Sequence, residues 1–112
     1  MLGKSIRKGF HTVTPYLIVQ DVDSFIEFLR QAFGAEETFR DVGSAGGRAR
    51  TGGSMPAMIH VYVEDVDAVY RRALTAGATS LGEPAESGDG DRRGGVQDPF
   101  CNQWWIATHL KA

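Results

Sequence analysis

The chain has one cysteine, no long apolar run and little net charge, and each scarcity excludes something. A lone Cys101 rules out an intrachain disulfide and suits a reducing compartment, so a cytoplasmic location is the expectation. No stretch approaches the roughly 18 apolar residues that cross a bilayer. The opening "MLGKSIRKGF" lacks the apolar core of a secretory signal. A net charge of −2 gives no basic bias of the kind that nucleic acid or an anionic membrane rewards, so neither is expected as a partner. The pairs Arg7–Lys8 and Arg92–Arg93 are too small for such a footprint and read as solvated surface. With 112 residues, 42% hydrophobic and 23% charged, the chain can build one small core, not two independent ones.

What is present is a repeat. "YLIVQDVDSFIEFLRQAFGA" at 16–35 is echoed by "HVYVEDVDAVYRRALTAGA" at 60–78, with Val19-x-Asp21-Val22-Asp23 recurring as Val63-x-Asp65-Val66-Asp67. Each copy reads as a strand followed at once by a helix. Val13, Leu17 and Val19 alternate with Thr12, Thr14, Tyr16 and Ile18, while Ile59, Val61 and Val63 alternate with Met58, His60 and Tyr62. Asp21 and Asp65 are placed to cap the helices, which Gly34 and Gly77 end. Val22, Phe25, Ile26, Leu29 and Phe33 form one apolar stripe; Val66, Val69, Tyr70 and Ala73 form the other.

After its helix the second copy has room for strands near 79–83, 93–97 and 103–109, with "EPAESGDGDRRGG" read as a polar connecting loop. It is βαβββ. The first copy offers one further strand, Glu36 to Val42, and then "GSAGGRARTGGSMP", whose five glycines between 43 and 54 cannot make a buried strand pair. The organisation expected is a single α+β domain: module one over about 10–43, shortened to βαβ, a Gly-rich linker over 43–55, and module two over about 56–110.

The segments "VTPYLIVQDVDSFIEFLRQAFGAEE", "YVEDVDAVYRRALTAGATS" and "GDRRGGVQDPFCNQWWIATH" resemble the vicinal oxygen chelate superfamily, that of glyoxalase I, bleomycin-resistance proteins and extradiol dioxygenases, and within it the PhnB-like branch. The resemblance implies paired βαβββ modules whose mixed sheets curve around a shared cleft. It also implies a metal held at four cleft-facing positions, usually His on the first strand of each module and Glu on the last. Counting back seven residues from Asp21 and Asp65 gives Thr14 and Met58, and "DPxGNxxE" overlays "DPFCNQWW", so the carboxylate position is Trp105. The fourth position belongs to a strand that the first copy lacks. Cys101 stands where the pattern has glycine, which leaves the register of the last strand open by one residue.

The alternation agrees that Trp104 and Ile106 face the helices while Trp105 and Ala107 share the face of Met58, His60 and Tyr62. Hydroxyl, thioether and indole do not replace imidazole and carboxylate as ligands of a divalent ion. No metal or other cofactor is therefore expected, and no catalytic residue is assigned. His60 and His109 form a thin substitute pair, with Cβ atoms about 7–8 Å apart if they lie one or two positions apart in parallel strands; His11 reads as surface. The leading expectation is a non-catalytic binder of an aromatic or cationic small molecule, using Thr14, Tyr16, Met58, His60, Tyr62, Gln103 and Trp105. The alternatives are a metal-dependent lyase or dioxygenase-type enzyme with a non-standard site, and a degenerate module whose aromatic face is only a subunit interface. Missing strands leave open sheet edges, so a homodimer is expected, with exchange of elements across the flexible linker one way to build it.

Overall fold

A computed structural model describes residues 15–38 and 56–110. Along them run α1 (Val22–Phe33), β1 (Met58–Tyr62), α2 (Val66–Thr75), β2 (Thr79–Glu86), β3 (Asp91–Gln97) and β4 (Gln103–His109). The second copy is thus βαβββ in an α+β fold. Its sheet has the order β1-β4-β3-β2, with β1 parallel to β4 and the other pairs antiparallel. In module one, 15–20 carry only an isolated bridge at Ile18 where the first strand was expected, while 10–14, 39–42 of its second expected strand and the Gly-rich segment 43–55 lie outside the described residues. Residues 36–38 are not strand.

Both helices start as their sequences dictate. The Asp21 carboxylate accepts from Ser24 N–H and the Asp65 carboxylate from Ala68 N–H, each at 3.1 Å, satisfying donors that the first turn leaves free. Gly34 closes α1 in the left-handed conformation, φ 69°. The face of α2 is as the periodicity predicts, with Val66, Val69, Tyr70 and Ala73 buried. The face of α1 is rotated from its predicted stripe: Phe25, Phe28 and Ala32 are buried, while Val22 is 48% exposed. Apolar residues cover so wide an arc of this helix that the pattern does not fix which part turns inward. Packing against α2 and the sheet does.

Both helices join a core with Val19, Val96, Trp104 and Ile106, flanked by Ile59, Val61 and Val63. Trp104 packs against Phe33, ring centroids 4.7 Å apart, and its indole N–H donates to Asp98 at 2.8 Å. That bond meets the requirement that a buried indole find an acceptor. Thr108 ties β4 to α2: its hydroxyl donates to the Val63 carbonyl and accepts from Val66 N–H, both at 2.9 Å.

Two expectations are corrected around β3. The polar segment 83–95 is not a long loop: β2 continues to Glu86, β3 begins at Asp91, and only 87–90 turn the chain. Glycines that suggest irregular chain here make room for neighbours. A Cβ on Gly94 would lie 3.1 Å from Pro84 Cγ, and one on Gly95 would strike Trp105. Pro84 sits where the β2–β3 ladder shifts register between Gly82 and Ala85, the kind of place a proline tolerates in a sheet. Arg92 and Arg93 are not a solvated pair either. Arg92 grips Asp67 on α2 through two bonds of 2.8 and 2.9 Å, and Arg93 turns to the opposite face to meet Asp89 and Asp91.

Candidate functional site

The sheet face away from the helices is built in rows fixed by strand register. Met58, Gln103 and Gln97 share one row; His60, Trp105 and Gly95 the next; Tyr62, Ala107 and Arg93 the third; His109 and Asp91 the last. Alternation along each strand puts all of them on one side. The register is settled despite the turn before it. Cys101 keeps φ 74°, the conformation that favours glycine, so no compensating slip occurs. Asp98 shapes this turn, its carboxylate accepting from Phe100 N–H at 2.8 Å and Asn102 N–H at 2.9 Å as well as from Trp104.

Trp105 lies flat over the bare backbone of Gly95. A Cβ built there would be 2.4 Å from Cζ3 and 2.6 Å from Cε3 of the indole. Beside it, His60 and Tyr62 meet edge to face with ring centroids 4.9 Å apart. Tyr62 reaches from β1 past the small Ala107 to β3, its hydroxyl donating to Asp91 at 2.9 Å. Ala107 is fully covered, whereas Tyr62 remains 64% exposed and Met58 70%. These residues form an aromatic platform.

One end of the platform is polar. Asp91 is only 4% exposed yet gathers three side-chain donors: Tyr62 Oη, Arg93 Nη2 at 3.1 Å and His109 Nδ1 at 2.8 Å. The bond from His109 above all, with those from Tyr62 and Arg93, holds the Asp91 carboxyl below its ordinary range against the opposing effect of burial. The bond to Asp91 chiefly, then burial, pushes the Tyr62 phenol up. Asp89, at the hairpin tip, is strongly lowered by the Ser87 hydroxyl and then by Arg93.

Of the predicted site residues, Met58, His60, Tyr62, Gln103 and Trp105 come together on this face. Tyr16 is exposed and makes no ladder pairing with this sheet, and Thr14, like His11, lies outside the described residues. His60 and His109 are farther apart than expected. His60 pairs with Trp105, so His109 stands four residues further along β4, about 13 Å. It is also engaged by Asp91. Asp91, Arg93 and Gly95 escaped the sequence reading of this face because all three fell in the segment 83–95, taken for loop.

The metal that the superfamily resemblance implies finds no donors at the described positions. Met58 offers a soft thioether, and the Trp105 indole presents no lone pair and is seated on Gly95. Among the described residues, no three His, Cys, Asp or Glu side chains are gathered as a metal would need.

This four-stranded sheet, backed by two helices and opening on one broad face, has the glyoxalase/bleomycin resistance protein/dioxygenase superfamily fold. It superposes on TioX from Micromonospora sp. ML1 with a TM-score of 0.68 and 25% identity, over 84% of this chain and 94% of that one. A glyoxalase/bleomycin resistance protein/dioxygenase family enzyme from Burkholderia phytofirmans PsJN matches with a TM-score of 0.67 at 21% identity, over 83% and 94%. A glyoxalase-related enzyme from Fulvimarina pelagi gives 0.65 at 21%, over 83% and 84%. By sequence the chain belongs to the family of the uncharacterized protein Rv0887c of Mycobacterium tuberculosis, to which it is 34% identical over 88% of this chain and 75% of the relative. The uncharacterized protein Mb0911c of Mycobacterium bovis is likewise 34% identical, over 88% and 84%. No family model matches the chain.

Proposed function

We propose that the protein is a non-catalytic, cytoplasmic binder of planar aromatic or cationic small molecules, a PhnB-like member of its superfamily with a shortened first module, working as a homodimer. The observation that carries the reading is the indole of Trp105 resting on Gly95 where the resemblance calls for a metal-binding carboxylate. An indole offers a flat face for stacking or for a cation, worth about 0.5–1.5 kcal/mol per contact. His60 and Tyr62 extend that face, and Met58 and Gln103 flank it. In this reading Thr14 and Tyr16 contribute to binding from module one.

A shortened module agrees with the mycobacterial match, which runs over 127 aligned positions while covering 88% of this 112-residue chain, so the relatives carry residues within the matched span that this chain lacks. The dimer is supported by β1, which stands at the end of the described sheet with one side unpaired to any other described strand. A second subunit is the simplest cover for such an edge. Sedimentation at micromolar concentration should give a dimer, and a sharp monomer would overturn that part.

Tryptophan fluorescence against a panel of aromatic and quaternary ammonium compounds tests the binding. Saturable changes are expected that Trp105→Ala abolishes while Trp104, held in the core, stays folded. A silent panel would favour the platform as a subunit interface only.

A further inference from the structure

The polar end of the platform has a feature that stacking does not use. Asp91 is buried and its two oxygens are divided: Oδ2 accepts from Tyr62 and Arg93, and Oδ1 faces His109 Nδ1. A carboxylate that is ionised can only accept, so the proton of the neutral imidazole sits on Nδ1. Nε2 is then an acceptor. The His109 side chain is 59% exposed, on the open side of the sheet.

The carboxylates around it are engaged within the cluster, although Arg93 balances only one of the two charges. Asp89 accepts from Ser87 and Arg93, and Asp91 from Tyr62, Arg93 and His109. What His109 offers an incoming molecule is a lone pair held in a fixed direction. The exposed Tyr62 ring is one row away, two residues in register or about 7 Å. An aromatic ring seated on Tyr62 and bearing a hydroxyl at its far end spans that distance.

We propose that the Asp91–His109 pair selects hydroxyl-bearing aromatic ligands, phenols and naphthols, by accepting a hydrogen bond from the ligand hydroxyl at His109 Nε2. This rests on the binding function above and names its ligand class. His109 is the group in contact; Asp91 is a positioning residue that fixes the tautomer. No covalent step is involved.

The test compares 2-naphthol with 2-methoxynaphthalene, which has the same rings but no donor, by calorimetry on the full chain. Both are measured where the imidazole ¹⁵N spectrum shows the neutral form. Naphthol should bind about three- to tenfold more tightly, the yield of one net hydrogen bond. His109→Phe should erase that preference, so that the two naphthalenes bind alike.

Asp91→Asn should do something a merely structural residue could not. Tyr62 and Arg93 both donate to the Oδ2 position, so the amide oxygen belongs there and the amide N–H turns to His109 Nδ1. That moves the imidazole proton to Nε2, visible in the ¹⁵N spectrum, and the ligand preference should vanish or reverse. Equal binding of the two naphthalenes by the unmodified protein would overturn the selection while leaving the platform standing. So would a naphthol preference that survives both substitutions. Failure of both naphthalenes to bind also overturns it, and the platform falls with it only if the wider aromatic and cationic panel is silent too.

Discussion

Gly95 and Trp105 face each other across the β3–β4 ladder, and the missing side chain of one is the seat of the other. Gly95 does not need its glycine for backbone conformation, since its φ is not among the positive ones. It needs it for space. Gly95→Ala should push the indole off the sheet and cost about 1–3 kcal/mol, as overpacking does. In a Trp105→Ala background the same change should be close to neutral, and a double-mutant cycle by urea denaturation measures the coupling.

Cys101 holds a left-handed conformation with a side chain that disfavours it. Cys101→Gly should therefore stabilise the protein by about 1 kcal/mol. The expected signature is a higher urea midpoint with an unchanged m-value. A midpoint that falls would mean that the thiol makes a contact worth more than the strain.

Asp98 is buried and accepts from two backbone N–H groups and the Trp104 indole. Asp98→Ala would strand all three donors, a loss of about 3 kcal/mol or more. Trp104→Phe removes one donor along with its acceptor's need, so the turn itself should persist. Thermal melts with near-ultraviolet circular dichroism distinguish the two outcomes.

The lowered Asp91 makes stability depend on pH in a definite sense. Its folded carboxyl is held below the unfolded value of about 4, so the native state gains from it above that value. The gain is lost as pH falls through the folded pKa. Asp91→Asn should thus melt below the unmodified protein near neutrality, and the gap should narrow as pH drops below 4. Tyr62, whose phenol is raised by the same bond, should ionise above pH 10 until Asp91 is replaced. Ultraviolet titration reads that directly.

Local chemistry made much of this molecule legible in advance. The Asp-Val-Asp starts, the alternation of β1 and β4 and the inward face of α2 depend on neighbours in sequence, and they appear as read. The α1 face and the β2–β3 hairpin do not, because each depends on what packs against it. A glycine that breaks a strand and a glycine that admits an indole look the same in a sequence. Asp91 was hidden for that reason, and with it the polar end of the site.

The sequence alone determined that the Asp-Val-Asp helix starts recur and that adjacent tryptophans must part company, since a strand's side chains alternate whatever surrounds them. Only the tertiary structure decided that Trp105 settles on Gly95, that Tyr62 crosses past Ala107 to Asp91, and that His109 Nδ1 meets Asp91. Those contacts join residues from three strands, and ladder register, a long-range property set by packing and turn geometry together, brings them into reach.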